Sequence, residues 1–355
     1  MSDPRDNPYR HLGVESFWRR SIALASVEGL TQPQGLFTQA DRVVSAGSCF
    51  AANVIPYLET AGVHYVRTEA LHPAFEHYPE HLGYGRFSAA YGNIYTVRQL
   101  VQLLLRALGR FMPTDDREHE DGLVTDLLRP GLRFKASSDG EFDALTRSHL
   151  DAVVEAIAEG TVFIFTLGLT EAWESRRDGA VYPVVPGSIA GRFDPQRFAF
   201  RNFAYPEVRR DLNDALALVR EINPDIRLVV TVSPVPLVAT ASGQHVLTAT
   251  TYSKSVLRAA AGDFTDEHER VEYFPAYEII TGPQAPESYF ESDRRSVSEV
   301  GVEAVMSAMF GEMSGPGRLA ESAGGEQAPA KPEDARLWLS QSIVDAECEE
   351  AMLDS

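Results

Sequence analysis

The sequence predicts an α/β fold with a mainly parallel sheet covered by helices on both faces. Three short apolar runs, at 42–46, 161–168 and 226–234, are typical of buried strands. Segments with apolar residues at helical spacing lie between these runs and after the last one. Strands that alternate with helices along a chain pair in parallel, with the connecting helices packed on the sheet.

Each predicted strand ends in small or turn-forming residues. The first, RVVSA, stops at Gly47, the second ends at Gly168, and the third ends at Pro234. The helices are predicted at 97–110, 144–159, 206–222, 252–262 and 298–310. Each of the first two strands is thus followed by helical segments before the next strand begins, as a parallel sheet requires.

The composition excludes several classes of function. The formal net charge is −19, so the chain lacks the basic surface that binding to nucleic acids or anionic membranes requires. There is no run of about 18 apolar residues, so no membrane span is expected. The N-terminal segment MSDPRDNPYR lacks the apolar core of a signal peptide. We therefore expect a cytoplasmic protein.

The cysteines and the end of the chain indicate its organisation. Cys49 and Cys348 lie far apart, and no Cys/His cluster has zinc-ligand spacing, so we expect neither a disulfide framework nor a metal site. After about residue 312 the composition becomes that of a linker. This change predicts a domain at 1–312 and a flexible acidic tail at 313–355 that could form a short helix. The tail could dock a protein partner, although a solubilising role is the simpler interpretation.

Polar residues follow all three predicted strands. They are Gly47-Ser48-Cys49, Thr166-Leu167-Gly168 and the segment from Thr231 to Pro234, which includes Ser233. The carboxyl ends of parallel strands meet at one edge of the sheet, and ligands of such folds bind beyond that edge. The sequence therefore predicts a site where these three segments converge.

Cys49 is a candidate nucleophile. It follows a glycine at a predicted strand-to-helix turn, where the N–H groups of the next turn can stabilise a thiolate or an oxyanion. The alternative is a small buried cysteine at a tight corner. Ser48 is the rival nucleophile, and its simpler role is to cap the following helix. The local sequence does not decide whether Cys49 is a nucleophile or a buried structural residue, or whether Ser48 is a nucleophile or a helix cap.

Other strand-end residues could bind the substrate. Gly92 and Asn93 could donate to an oxyanion, or they could form a turn before the next helix. Gly168 has the same two interpretations. Glu171 could orient a base or bind substrate, and otherwise is a carboxylate at a helix N-terminus. Trp173 could form the floor of a pocket, although a large aromatic side chain is more often part of the core.

A nucleophile also needs a base, and the chain has nine histidines. His245 is our preferred base because we expect it on the loop that leaves the third strand. Three others, His72, His77 and His81, cluster in a segment rich in proline and aromatic residues, and His64 opens a predicted strand. A lone histidine is more often structural than catalytic.

These motifs resemble the GSCFA family, which takes its name from the sequence found here at 47–51. The likeness covers roughly residues 7–310 and rests on several blocks in the expected order. After GSCFA these blocks are YGNIYT (91–96), TLGLTEAW (166–173), TVSPVPL (231–237), SKSVLR (253–258), which contains Lys254, and YFPAYE (273–278).

The family is similar to the SGNH (GDSL-type) hydrolases, and this likeness implies a flavodoxin-like three-layer α/β/α sandwich. It also implies ester or acyl chemistry on small or carbohydrate substrates. Aligning the glycines places Cys49 at the nucleophile position of the Gly-Asp-Ser turn, with Gly92, Asn93 and Gly168 as oxyanion donors. No cofactor is implied, although acyl-CoA could serve as a co-substrate.

The sequence departs from the SGNH pattern at two positions. The relatives have Asp-x-x-His before the last helix, and here Asp293 matches but Ser296 stands where the histidine is expected. Glu171 stands in the Gly168 block in place of an asparagine. Either another histidine supplies the base or the ordinary triad is absent.

Three hypotheses follow. The first is an esterase or O-acyltransferase with Cys49 as nucleophile, His245 as base, and Glu171 or Asp293 orienting it. Ser233, Lys254 and Ser296 would then contact the substrate. The second is a non-catalytic protein that binds a small molecule or glycan on a hydrolase-like fold, motivated by Ser296. The third is redox or thioester chemistry at Cys49.

Overall fold

The computed structural model describes residues 7–22, 29–31, 35–69, 84–132 and 134–311. The linker and tail that the sequence predicts after residue 312, together with Cys348, lie outside these residues. His72, His77 and His81 do so as well.

The described residues form strands and helices in alternation over most of the chain. The strands are β1 (Arg42–Gly47), β2 (His64–Tyr65), β3 (Arg117–Glu120), β4 (Leu123–Asp126), β5 (Val162–Leu167), β6 (Glu171–Ser175), β7 (Val181–Tyr182), β8 (Phe198–Asn202), β9 (Arg227–Val232) and β10 (Val271–Phe274). The α-helices are α1 (Trp18–Ser21), α2 (Val54–Thr60), α3 (Val97–Ala107), α4 (Asp139–Glu159), α5 (Tyr205–Ile222), α6 (Val246–Glu267), α7 (Ala276–Thr281) and α8 (Glu299–Phe310).

The central sheet has five parallel strands in the spatial order β2-β1-β5-β9-β10. Numbered by their order along the chain, these strands are arranged 2-1-3-4-5, which is the flavodoxin-like order. The predicted fold class is therefore confirmed. The direction of the strand order reverses between β1 and β5, and a fold of this type places its ligand in the crevice at that point.

Alternating side chains of the strands divide the core into two layers. Val44, Phe165 and Val230 face a cluster that includes apolar residues of α3, α4, α5 and α6. Val43 and Ile164 face the other cluster, which includes residues of α2, α7 and α8. Because successive side chains of a strand point to opposite faces, continuous apolar runs indicate strands buried on both sides. The result is the three-layer α/β/α sandwich.

The bounds of several predicted helices differ from the observed ones. Helix α6 runs from Val246 to Glu267, whereas the sequence predicted a helix only at 252–262, with His245 on the loop before it. Its first turns contain several threonines, whose low helix propensity obscured the start. Helix α3 ends at Ala107 rather than at residue 110.

Two small antiparallel sheets were not predicted: the pair β3-β4 and the sheet β7-β6-β8. Strand β3 has the sequence REHE, in which polar and apolar residues do not alternate. Its pairing with β4 therefore could not be predicted from the local sequence. Within the described part of the chain, no helix is long and apolar enough to cross a membrane.

Candidate functional site

The turn after β1 lies at the reversal of strand order. Gly47 is level with Thr166 of β5, which in turn is level with Thr231 of β9. Gly47 has φ +143°, and a Cβ built on it would lie 2.5 Å from the carbonyl oxygen of Thr166. Only glycine allows the two strand ends to approach so closely. The expected convergence of the strand ends is thus present in the structure.

Ser48 leaves this turn in an extended conformation, and a 3₁₀ turn at Cys49–Asn53 follows directly and leads into α2. The Ser48 hydroxyl makes no capping hydrogen bond, so its interpretation as a helix cap is wrong. Ser48 is buried, and its Oγ has no hydrogen-bond partner among the described residues. Cys49 is also buried, with 9% of its surface exposed.

The loop at 91–95 packs over the end of β1. The Tyr91 hydroxyl donates to the carbonyl oxygen of Ser45, and the Ile94 N–H donates to that of Gly47 at 2.8 Å. Thr96, not Asn93, caps α3, in a capping box with Gln99. These bonds fix the loop that contains the predicted oxyanion donors directly beside the Ser48 turn.

Gly92 and Asn93 are placed differently within this loop. Gly92 has φ +68°, and a Cβ built on it would meet open space, so glycine is favoured there by its backbone conformation. Asn93 is buried and lines a small cavity whose described lining includes neither Ser48 nor Cys49. The structure therefore does not bring the Asn93 side chain and Cys49 into one pocket.

Gly168 lies against Ser48. A Cβ built on Gly168 would lie 3.1 Å from Ser48 Cβ and 2.9 Å from the carbonyl oxygen of Tyr95. Its N–H donates to that same Tyr95 oxygen at 3.2 Å, as the Leu169 N–H does at 2.8 Å. Because the N–H of Gly168 already has an acceptor, its predicted role as an oxyanion donor receives no support from the structure.

Helix α6 holds the Gly168 turn through two consecutive polar side chains. Lys254 is 1% exposed, and its Nζ donates to the carbonyl oxygen of Gly168 at 2.7 Å. The Ser253 hydroxyl accepts a hydrogen bond from the N–H of Thr170 at 3.0 Å. A buried lysine is rare because its charge is costly to desolvate. The structure thus places Lys254 Nζ in contact with Gly168, the residue that packs on Ser48.

Glu171 begins β6 rather than a helix, which corrects its interpretation as a carboxylate at a helix N-terminus. Its Oε1 accepts from the Thr240 hydroxyl at 2.7 Å. Burial raises the pKa of Glu171 above its ordinary value, although the Thr240 hydrogen bond acts in the opposite direction. Trp173 is half-buried and packs edge-on against Phe193 and Phe200, within the small β7-β6-β8 sheet.

Ser233, at the end of the third predicted strand, is 1% exposed. Its hydroxyl accepts from the N–H of Val235 at 3.3 Å, and its own N–H donates to the carbonyl oxygen of Leu167. These bonds shape the turn after β9. The structure gives Ser233 a local role in this turn.

His245, the predicted base, is exposed and is the N-cap residue of α6. Its Nδ1 accepts a hydrogen bond from the N–H of Leu247 at 3.2 Å. In the neutral ring the proton then lies on Nε2, so the lone pair that a base needs is already used by the cap. This geometry does not support His245 as the base.

Asp293 and Ser296 precede α8, at the position that the family likeness implies. The Ser296 hydroxyl and backbone N–H both donate to the Asp293 carboxylate, the hydroxyl at 2.6 Å. Burial alone would raise the pKa of Asp293, but these hydrogen bonds outweigh it and lower the pKa. The Asp293 carboxylate is thus occupied by Ser296, at the position where the sequence comparison with SGNH hydrolases leads us to expect a histidine.

A second group of polar residues was not predicted from the sequence. His149 of α4 is fully buried, and its Nδ1 lies 2.6 Å from Glu69 Oε2. Arg129 lies beside Glu69, with 3.5 Å between Nη1 and Oε1, and its Nε donates to Asp126 at 2.8 Å. The sequence contained one clue, because His149 lies on the apolar face of its helix, which also buries Ala152 and Val153.

Metal binding is not indicated by the described residues, since no group of three His, Cys, Asp or Glu side chains among them could hold an ion.

The comparisons with known proteins concern first the family. The model of the GSCFA family matches residues 42–309. A search of curated proteins finds no match to the chain.

Solved structures give several matches at low identity. A carbohydrate esterase family 3 protein from Talaromyces cellulolyticus matches with a TM-score of 0.36 and 10% identity, over 77% of this chain and 96% of that one. The Clostridium thermocellum family 3 carbohydrate esterase matches with a TM-score of 0.32 and 9% identity, over 80% and 99% of the chains. An acetyl esterase mutant with an acetate ion gives a TM-score of 0.34 and 9% identity, over 80% and 100%.

Proposed function

Since the chain belongs to the GSCFA family, we propose that it is an acyl-transfer enzyme, an esterase or O-acyltransferase, with its nucleophile in the Gly47-Ser48-Cys49 turn. One observation carries the proposal. At the reversal of strand order, where folds of this type bind ligands, buried Ser48 packs on Gly168, and Gly168 accepts a hydrogen bond from buried Lys254. Polar groups that are costly to bury are concentrated there.

Cys49 is the proposed nucleophile. It begins the turn that leads into α2, which is the position of the nucleophile in the Gly-Asp-Ser pattern that the sequence resembles. A thiol ionises more readily than a hydroxyl, and so demands less of a general base. Ser48 is the second candidate, because its hydroxyl is buried without a described partner. The experiment below distinguishes the two.

The proposed chemistry has two steps. The Cys49 sulfur attacks the carbonyl carbon of an ester, the bond between this carbon and the leaving oxygen breaks, and an alcohol leaves with a proton. Water or an acceptor hydroxyl then attacks the thioester, and the acyl group passes to that oxygen while the thiol re-forms. Water as acceptor gives an esterase, and an alcohol gives an acyltransferase.

The residues near the turn have proposed roles in these steps. The ammonium group of Lys254 stabilises the negative charge that develops at the turn, because electrostatic effects are strong where water is excluded. Backbone N–H groups at Gly92 and at the start of the 3₁₀ turn are the proposed oxyanion donors. The proposal assigns no histidine as base, and in this respect it departs from the ordinary triad.

The proposed substrate is an ester of a small polar or carbohydrate compound, as the family likeness implies. Acyl-CoA is a second proposed donor, since an activated thioester suits a transferase. A cytoplasmic location, which the sequence leads us to expect, would favour a transferase over a scavenging esterase. We propose no cofactor.

Acyl-adduct mapping tests the proposal. The protein is incubated with an activated acetyl ester, quenched early and digested, and the added mass is located by peptide mass spectrometry. The expected result is rapid acetylation of Cys49, with Cys348 as the internal control for non-specific labelling of thiols. Adduct at Ser48 would assign the nucleophile one residue earlier. Equal labelling of Cys49 and Cys348, with no adduct at Ser48, would contradict acyl-enzyme chemistry at this turn.

A non-catalytic binding protein is the second candidate function. It is favoured by Ser296, which holds Asp293 in place of the expected histidine, and by the engaged Nδ1 of His245. In this case exposed Arg294 and half-buried Arg295, which precede α8, would contact a polar ligand. Turnover of an ester at a rate that depends on Cys49 would exclude this function.

A further inference from the structure

A small polar cavity lies between α3, α4 and β7, beside the loop at 91–95, and its described lining includes neither Ser48 nor Cys49. Its volume is about 40 Å³, and it is partly open to solvent. Its polar lining includes Asn93, Arg106, Arg129 and His149, and Phe111 and Pro113 contribute apolar surface. A water molecule needs roughly 10–15 Å³, so the cavity has room for several small atoms rather than for a large ligand.

Three buried polar atoms of the lining residues have no hydrogen-bond partner among the described residues: Asn93 Oδ1, Arg129 Nη1 and His149 Nε2. The exposed fractions of these residues are 4%, 6% and 0%, respectively. Buried polar groups in folded proteins are normally paired, and three unpaired groups around one cavity indicate that something else pairs with them.

The contact with Glu69 determines what His149 offers to the cavity. A carboxylate only accepts hydrogen bonds, so His149 Nδ1, 2.6 Å away, carries the proton. Burial, reinforced by the charge of Arg129, lowers the pKa of His149 to about 4, although Glu69 acts in the opposite direction. The ring is therefore neutral near pH 7, and its Nε2 presents a lone pair that requires a donor.

Arg129, in contrast, requires a hydrogen-bond acceptor. Its Nε donates to Asp126, and its Nη1 lies 3.5 Å from Glu69 without a hydrogen bond, so this N–H requires an acceptor. Asn93 is adaptable, because rotation of its amide by half a turn exchanges acceptor and donor. The two groups together favour a ligand that donates to His149 and accepts from Arg129.

The need for a donor to His149 and an acceptor for Arg129 restricts the chemistry of the ligand. A carboxylate cannot donate to His149, and an ammonium group cannot accept from Arg129. The cavity also has little net charge, since Arg106 and Arg129 are opposed by the nearby carboxylates of Glu69 and Asp126. A hydroxyl group is neutral and both donates and accepts.

We infer that this cavity is a binding site for the hydroxyl group of a small neutral alcohol or sugar. The hydroxyl donates to His149 Nε2 and accepts from Arg129 Nη1, while Asn93 pairs with a neighbouring hydroxyl. Glu69 is a positioning residue, since it holds the ring with Nε2 toward the cavity. The site is separate from the proposed nucleophile, so the failure of either proposal leaves the other standing.

The test is a titration of the full-length protein, labelled with ¹⁵N in its histidine rings, followed by nuclear magnetic resonance. His149 is recognised as the neutral ring that does not titrate near pH 7. Ethylene glycol is compared with 1,2-dimethoxyethane, which has the same acceptor oxygens but no O–H. We expect a saturable shift of the Nε2 resonance with the glycol and binding at least about tenfold weaker for the diether.

Further arms identify the source of the hydroxyl. A saturable shift with methyl glucoside would assign the site to a sugar, and a shift with the glycol alone would assign it to small free alcohols. The ring of exposed His245 is the internal control and should not shift. No saturable shift with any of these compounds, or equal shifts with glycol and diether, would overturn the inference and leave only ordered water.

The variant Arg129→Lys shortens the donor while keeping its charge beside Glu69 and Asp126. It should weaken binding of the glycol by about tenfold. Unchanged affinity would show that Arg129 does not contact the ligand and would contradict the inference. If this buried position does not tolerate the substitution, the comparison of glycol and diether on the wild-type protein is decisive by itself.

Discussion

Lys254 Nζ donates to the carbonyl oxygen of Gly168 at 2.7 Å, across 86 positions of sequence. The bond joins a buried amino group on α6 to the turn after β5, and that turn packs on Ser48. It joins the SKSVLR block to the TLGLTEAW block, and the Ser253 hydroxyl, which accepts from the Thr170 N–H, provides a second bond between them. Helix α6 thus stabilises the turn after β5 at the polar edge of the sheet.

Lys254→Met should reduce acyl transfer by about 10²-fold, because it removes a positive charge from a site that excludes water. The free energy of unfolding should fall by about 1–3 kcal/mol, since the Gly168 carbonyl is left without this donor. Steady-state rates with an activated ester and urea unfolding measure the two effects. Lys135→Met is the control, because Lys135 is exposed and pairs with Glu120 only at 3.4 Å. Equal rates for the two variants would contradict a role for Lys254.

Gly47→Ala should lower the free energy of unfolding by about 3 kcal/mol or more, because its Cβ would overlap the Thr166 carbonyl at a backbone conformation that disfavours alanine. Gly122→Ala is the matched control. Gly122 also has a positive φ, +79°, but a Cβ there meets open space. It should cost only about 1 kcal/mol. Urea unfolding of both variants checks the difference, and similar losses would mean that the close approach of the strands is not the cause.

Acid should destabilise the protein through His149. The pKa of His149 is lowered from 6.5 to about 4 in the folded protein, mainly by burial. The unfolded chain then binds a proton that the folded chain does not, so stability is fully present above pH 6.5 and is lost as the pH falls toward 4. The loss should be about 2 kcal/mol between pH 6.5 and pH 5.

Urea unfolding across this pH range measures that loss, and His149→Gln should flatten the curve because the glutamine cannot titrate. Glu69 acts at lower pH: burial would raise its pKa, but His149 and Arg129 outweigh it and lower the pKa. Its contribution to stability is therefore present above its unfolded pKa and is lost as the pH falls further. A curve that is the same for wild type and His149→Gln would show that His149 is not buried in neutral form.

If the proposed acyl transfer is correct, Ser296→His should raise the esterase rate by about tenfold or more, because it creates beside Asp293 the Asp-x-x-His pattern of SGNH hydrolases. The substitution should be tolerated, since Ser296 lies on the turn before α8 and its main partner is the Asp293 carboxylate. Initial rates with an activated ester measure the gain, and Ser288→His serves as the control on a neighbouring turn. No gain would indicate that Asp293 does not face the proposed nucleophile.

Much of the fold follows from local pattern. The three apolar runs became β1, β5 and β9, and the long amphipathic segments became α3, α4 and α5, because periodicity reports which faces a segment buries. The GSCFA resemblance was confirmed by the family model. The turn after β1 was also predicted correctly, since a glycine after an apolar run is a local feature.

The remaining features depend on contacts between distant residues. His149 and Glu69 are 80 positions apart, and Lys254 meets Gly168 across 86. Whether a polar atom is paired or left facing a cavity depends on how helices pack, and no periodicity records that. His245 was chosen from its position along the chain, whereas the fold uses its ring nitrogen as a helix cap. The order of residues thus established the sheet and its polar edge. Packing alone decided which side chains meet there, because hydrogen-bond partners are assigned by distance in space and not by separation in sequence.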